Sequence, residues 1–242
     1  MRISLTGKKI LVTGATGAIG SAVASAAKEA GAWVMGSYLQ NETMAAELGA
    51  EGIVMAQADL SDRAQARRLV QQAVEQAGSL DAMVYSAGNT RDRLLIKMSD
   101  EEWDDVLKLH LDGLYACCRA ALPGMQQRRA GKLVAIGSQS GLTGRMGQAN
   151  YSAAKAATVG FIKSLAREAG RFGVTANVVC PGFIESQMTR SAPPEAWDRA
   201  KATSALGTVS SVETIASFIT WLLSDLCSSV TGQVFQLDSR IL

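Results

Sequence analysis

The chain of 242 residues holds one histidine and four cysteines, Cys117, Cys118, Cys180 and Cys227. The cysteines show no paired spacing, so neither a zinc site nor a disulfide framework is expected, and a reducing, cytoplasmic setting is the default. Charge of one sign is also missing. Lys and Arg number 24 against 22 Asp and Glu, and no basic tract stands out, which argues against nucleic acid or a membrane surface as partner. No apolar run reaches the length of a membrane span, and Met1 to Lys9 offers neither a signal-peptide core nor a cleavage site. What is present is a 48% hydrophobic content, enough for a full core.

Short apolar runs alternate with helical patterns along the chain. The first run, Ile10 to Thr13, ends in Gly14-Ala-Thr16-Gly17-Ala18-Ile19-Gly20 and continues as a helix to about Ala30. Strand, glycine turn and helix in this order let backbone N–H groups at a helix N-terminus meet a pyrophosphate. Further strands are expected over 32–38, 53–57, 81–85, 133–136, 174–180 and 233–237. Helices are expected over about 43–48, 62–77, 100–127 with an interruption near Pro123, 150–171 and 212–224. This rhythm predicts an α/β fold with a doubly wound, parallel, seven-stranded sheet. No repeat or linker divides the chain, so one domain over 1–242 is expected, with a lid over about 185–206 where the pattern weakens around Pro193-Pro194.

The chemistry concentrates between Ser138 and Lys155. A Ser- and Gly-rich loop leaves the strand ending at Ile136 and leads into a helix carrying Tyr151 and Lys155, which share one face at i and i+4. A phenol is a poor proton donor or acceptor at neutral pH unless its ionised form is stabilised. An ammonium one turn away favours the phenolate. Such a Tyr can protonate a carbonyl oxygen as hydride reaches the carbon, while Ser138 donates a hydrogen bond to the same oxygen. On its own the Tyr-x-x-x-Lys pair is weak evidence, since such pairs arise by chance on many helices.

Taken together, the glycine turn, Asn89-Thr-Arg-Asp92, Trp103-Asp-Asp-Val-Leu, Gly147-Gln-Ala-Asn-Tyr151-Ser-Ala-Ala-Lys155 and Asn177-Val-Val-Cys-Pro181-Gly182 resemble the short-chain dehydrogenase/reductase family. The likeness covers nearly the whole chain and is nearest to the bacterial 3-oxoacyl-[acyl-carrier-protein] reductases. It implies a Rossmann-type fold and reduction of a 3-oxoacyl thioester, with Ser138, Tyr151 and Lys155 as catalytic residues. It also implies a nicotinamide cofactor held by Gly14, Thr16, Gly17, Ala18, Ile19 and Gly20, with Ser37 and Tyr38 near the ribose. Asp59 and Leu60 would meet the adenine, Ala87 and Gly88 would flank the cofactor, and Lys155 would hold the nicotinamide ribose beside Tyr151. Pro181, Gly182, Ile184 and Ser186 would meet the nicotinamide. Family members are usually tetramers, so a homotetramer or dimer is implied, and a mixed oligomer with a related reductase is an alternative. No metal is implied.

Four departures from the family pattern bear on function. Ala18 stands where a second glycine is usual, and Ser86 replaces an Asn. His110 replaces an Asn that helps hold a proton-relaying water; an imidazole, able to donate and accept, is a candidate catalytic substitute there, and a merely structural His is the alternative. Ser239-Arg240 follow the last Asp in place of two glycines, at the subunit contact or substrate rim. These differences suggest a specialised branch serving fatty-acid, polyketide or polyene synthesis. Other carbonyl substrates, such as an acyl-CoA, a steroid or a sugar, and a weakly active partner subunit are the alternatives. The second strand ends in Gly36-Ser37-Tyr38 without a carboxylate, which favours NADPH over NADH. Arg128, Arg129, Lys132, Arg167 and Arg171 could form a basic rim for an acidic acyl-carrier protein, against the alternative of ordinary solvated charge.

Overall fold

The computed structural model describes residues 3–185, 189 and 193–239. Seven parallel strands form one sheet in the order β3-β2-β1-β4-β5-β6-β7. They are β1 (Lys9–Thr13), β2 (Trp33–Tyr38), β3 (Val54–Gln57), β4 (Ala82–Tyr85), β5 (Gly131–Ile136), β6 (Val174–Pro181) and β7 (Val234–Leu237). Chain order reverses between β1 and β4, the switch point at which ligands bind in open α/β sheets.

The strands are apolar on both faces because both are covered. Along β1 the side chains alternate: Leu11 enters the core shared with Met83, Leu114 and Ile162, while Ile10 and Val12 enter the one shared with Val23 and Ile219. Helices α3 (Arg63–Ala77), α5 (Gly113–Arg128) and α7 (Ala149–Ala169) cover the first face. Helices α1 (Ala18–Glu29) and α9 (Val212–Leu223) cover the second. Shorter helices are α2 (Glu42–Ala50), α4 (Asp100–Leu107), α6 (Ser140–Thr143) and α8 (Pro194–Ala202).

Local chemistry sets the helix ends. The Asp62 carboxylate accepts from the Ala64 and Gln65 N–H groups to start α3, which ends at Gly78 with φ +77°. Ser99 and Glu102 form a reciprocal capping box at α4. One expectation fails here. Helix α5 runs on through Pro123, a residue that is exposed, as Arg119 four positions before it is. The irregularity falls earlier, in a π-helical turn over Lys108–Asp112 that carries His110. The segment expected as a lid over about 185–206 carries α8, held by an edge-to-face contact of Trp197 on Phe183 at 4.8 Å. The Ser239 carbonyl accepts from the Ala205 N–H at 2.9 Å and so ties the end of this segment to the chain after β7. Ser186 and Arg240 lie outside the described residues.

Candidate active site

A cleft of about 930 Å³ opens over the C-terminal ends of β1, β4, β5 and β6. At one end the glycine turn leads into α1. Gly14 has φ +62°, and a Cβ there would come within 2.7 Å of the Ala87 Cα. A Cβ on Gly20 would run into the Gly14 carbonyl. The strand end and helix start can therefore pack only without side chains. Gly17 begins α1 with no side-chain cap, and it lines the cleft beside Ala18 and Ile19. Uncapped first-turn N–H groups at a helix N-terminus suit a pyrophosphate. The local chemistry thus fits a dinucleotide, with Ala18 among the residues that line the cleft.

Several expected cofactor residues also serve the scaffold. The Ser37 side chain is 1% exposed and its hydroxyl accepts the Gly14 N–H at 3.2 Å. Asp59 closes a turn, its carboxylate accepting from both the N–H and the hydroxyl of Ser61. Leu60 is buried in the core. Ser86 and Ala87 donate their N–H groups to the Thr13 hydroxyl, which shapes the end of β4. Thr16 and Tyr38 are half-buried and, with Gly14, Gly20, Ser37, Asp59, Leu60 and Ala87, lie outside the cleft lining, which Gly88 joins.

At the other end, Ser138, Tyr151 and Lys155 meet. Ser138 follows β5, and its oxygen accepts the Ser140 N–H at 3.2 Å. The start of α7 is pinned from below. Buried Asn150 donates to the carbonyls of Arg91 and Glu102, each at 3.0 Å. Buried Gln148 accepts from the Ser140 hydroxyl at 3.0 Å and donates to Asp92 at 2.8 Å. These two side chains are what the Gly-Gln-Ala-Asn segment supplies: they fix where Tyr151 stands. The Ser138 side chain lies close enough to the Tyr151 phenol to favour its ionised form. Pro181, Gly182 and Ile184 line the cleft as well.

The protonation chemistry differs from expectation. Burial holds the Tyr151 phenol above its usual range, with the Ser138 side chain and the Arg145 charge opposing and the Asp92 charge reinforcing it. The ammonium of Lys155 does not reverse this. It donates to the Ile136 carbonyl at 2.7 Å and lies 5.6 Å from the Tyr151 ring centroid. Burial in turn pulls Lys155 down to about 8. Desolvation outweighs the pairwise attraction, so the phenol of the free protein is a proton donor at neutral pH.

His110 is 3% exposed and meets Tyr151 edge-to-face, the ring centroids 5.3 Å apart. Its Nε2 lies 2.8 Å from the Asn89 carbonyl oxygen and 3.1 Å from the Asn89 nitrogen. Burial first, then the Lys155 charge, lowers it to about 3, so the ring is neutral. It lines the cleft, pins the Gly88–Asn89 turn and braces Tyr151.

The basic residues expected to rim this cleft do not do so within one chain. Arg128 donates to the Leu80 carbonyl, Arg129 to that of Arg171, and Lys132 to those of Leu222 and Cys227. With Arg167, they gather around the N-terminal end of β5, roughly 17 Å of strand from the cleft. The cations that do line the cleft mouth are Arg145 and Arg199. Arg145 had a signal, as the lone charge between Ser138 and Gln148; Arg199 had none.

A family model described as Enoyl-(Acyl carrier protein) reductase matches residues 14–239. The chain belongs to the short-chain dehydrogenase/reductase family. Members of this family are NAD(P)H-dependent oxidoreductases, and so is this chain. It is 37% identical over 239 residues to the 3-oxoacyl-[acyl-carrier-protein] reductase FabG of Salmonella typhimurium, covering 98% of each. It is 41% identical over 243 residues to Nodulation protein G of Rhizobium sp. (strain N33), again covering 98% of each. A solved structure titled Crystal structure of gox2181 superposes with a TM-score of 0.92 at 32% identity, covering 98% of this chain and 96% of that one. Among the described residues no helix is long and apolar enough to cross a membrane.

Proposed function

We propose that the protein is an NADPH-dependent reductase of 3-oxoacyl thioesters carried on an acyl-carrier protein, forming the 3-hydroxyacyl product. The observation that carries this reading is the meeting of Ser138, Tyr151 and Lys155 at one end of a cleft whose other end is the uncapped N-terminus of α1. The 3-oxoacyl-[acyl-carrier-protein] reductase relatives support the thioester class.

Gly17, Ala18 and Ile19 would hold the pyrophosphate, and Pro181, Gly182 and Ile184 the nicotinamide end. When bound, the cofactor supplies the hydride that adds to the C3 carbonyl carbon. Tyr151 gives its phenolic proton to the carbonyl oxygen, so that one hydride and one proton make the alcohol. The Ser138 hydroxyl donates a hydrogen bond to the oxygen as charge develops. Lys155 keeps a positive charge near the phenolate that Tyr151 leaves. His110 and Gly88 wall the pocket and hold Tyr151 in line. NADPH is favoured over NADH because no carboxylate ends β2; Ser37 is buried and Asn41 caps α2.

The test is loss of NADPH absorbance with acetoacetyl-CoA and with a 3-oxoacyl carrier-protein thioester, comparing wild type, Tyr151→Phe and His110→Asn. Turnover removed by Tyr151→Phe and kept by His110→Asn supports the reading. Absence of wild-type turnover with either thioester, despite NADPH binding, sinks it.

A further inference from the structure

The cleft is asymmetric in charge. Among its described lining residues there are three cations, Arg145, Lys155 and Arg199, and no carboxylate. Lys155 is buried against the Ile136 carbonyl. The two arginines are exposed, and the guanidinium of neither makes an ion pair or hydrogen bond among the described residues, their carbonyls alone accepting, from Gln148 and Thr203. Nearby arginines behave otherwise: Arg91 pairs with Asp105 at 3.3 Å and Arg93 with Glu102 at 2.9 Å. The acid closest in influence, Asp92, has one oxygen taken by Gln148.

The two arginines come from different walls. Arg145 follows α6 in the loop after β5, just past Gly144 with φ +73°. Arg199 lies on α8 after β6, on the face that also turns Ala196, Ala200 and Thr203 to the cleft. The α1 N-terminus, where a pyrophosphate fits, follows β1. The sheet order sets β5, after which Arg145 comes, two strand positions or about 10 Å from β1, and β6, after which Arg199 comes, three positions or about 14 Å from it at the usual strand spacing. The cofactor's pyrophosphate therefore does not account for the pair.

We propose that Arg145 and Arg199 form an anion-recognition pair for the substrate, so that the preferred thioester carries a carboxylate or phosphate beyond its reacting carbonyl. This rests on the thioester-reductase reading and adds the substrate's charge to it. A guanidinium presents a fixed fork of donors that matches either anion bidentately, and a donor from each wall would draw α8 toward the loop at 144–148 when the anion arrives. The Arg145 charge is already felt at the Tyr151 phenol, so the recognition element and the proton donor share one field.

Three probes separate the sources of the anion. Acetoacetyl-N-acetylcysteamine is neutral, acetoacetyl-phosphopantetheine carries a phosphate on the thiol arm, and 3-oxoadipyl-N-acetylcysteamine carries a carboxylate on the acyl end. Dissociation constants are measured by calorimetry with NADP⁺ present, which permits no reduction, and kcat/KM is measured with NADPH. The readout is the ratio of each anionic probe to the neutral one within the same protein, so that any general loss cancels. Wild type is expected to favour one anionic probe about ten- to hundredfold. Arg145→Gln and Arg199→Gln should each collapse that ratio, Arg145→Lys and Arg199→Lys should keep part of it, and added salt should shrink it. A wild-type ratio near one for both anionic probes, or a ratio that survives both Gln substitutions, overturns the proposal. Turnover of the neutral thioester with no anion preference would leave the reductase reading standing and remove this one. Anion-dependent binding without turnover of any probe would do the reverse.

Discussion

The two ends of the cleft recognise by different means. At the β1 end three polar side chains near the cofactor position are already committed to the protein: Ser37 to the Gly14 N–H, Asp59 to Ser61 and Asn41 to the start of α2. What lines the cleft there, at Gly17, Ala18 and Ile19, is backbone and apolar side chain, after a turn that tolerates no side chain at Gly14 or Gly20. At the β5–β6 end the reverse holds. Ser138, Tyr151, Arg145 and Arg199 project side-chain groups into the cleft, and a layer behind them, Gln148, Asn150 and Asp92, is satisfied internally. Backbone recognition fits a ligand that stays the same, whereas side-chain recognition can be changed residue by residue without disturbing the sheet.

Substitutions at the side-chain end should strike the chemistry and spare the scaffold. Tyr151→Phe removes the proton donor and should lower kcat about 10²–10⁴-fold, with NADPH binding, followed by cofactor fluorescence, retained. Ser138→Ala removes one donor to the developing oxyanion and should lower kcat about 10²–10³-fold, read in the same assay. Loss of NADPH binding in either variant would break the division between the two ends. At the backbone end the pattern should invert. Gly20→Ala drives a methyl into the Gly14 carbonyl, and denaturant titration should record a loss of about 3 kcal/mol together with weakened cofactor binding.

Lys155 belongs to both ends and has a signature of its own. Its folded-state pKa is pulled down to about 8 by burial, while the unfolded chain keeps a lysine near its ordinary value of about 10.4. Between these values the unfolded state binds more protons, so this group makes stability rise with pH across that window; below it the penalty for burying the ammonium is fully present. The gain is at most about 3 kcal/mol. Subtracting the stability–pH profile of Lys155→Met from that of wild type isolates it, since Tyr151 is common to both. A flat difference between pH 8 and 10 would mean that the ammonium is not desolvated.

The parts of this design that were legible in the sequence are those carried by local pattern. Alternating apolar runs announced the seven strands, and Gly14 to Gly20 announced the turn into α1, because both are short-range consequences of backbone geometry. The Tyr151–Lys155 pair was readable as one helix face. Its electrostatics were not, because desolvation depends on what packs over the phenol, and packing is a property of the tertiary fold. Pro123 misled for a similar reason: its effect on a helix depends on whether the carbonyl it frees meets solvent, and exposure is not written in the neighbouring residues. The basic cluster at Arg128, Arg129 and Lys132 could be counted but not placed, because a strand has two ends, and charge counting does not say which one carries the cleft. Arg199 escaped notice because α8 interrupts no apolar rhythm; only its docking through Trp197 on Phe183 brings it to the site.

The smallest expected effect is the sharpest check on the backbone end. Asn41 follows β2 at the place where a cofactor ribose would be read, and a side chain there invites a ligand role. Its oxygen instead accepts the Met44 N–H at 3.1 Å and starts α2. Loss of such a cap typically costs about 1 kcal/mol. Asn41→Ala should therefore lower the unfolding free energy, read by denaturant titration, by that amount while leaving the ratio of NADPH to NADH affinities as it was. A change in that ratio larger than the change in stability would show that a side chain reads the ribose after all, and the contrast between a backbone-reading end and a side-chain-reading end would fall with it.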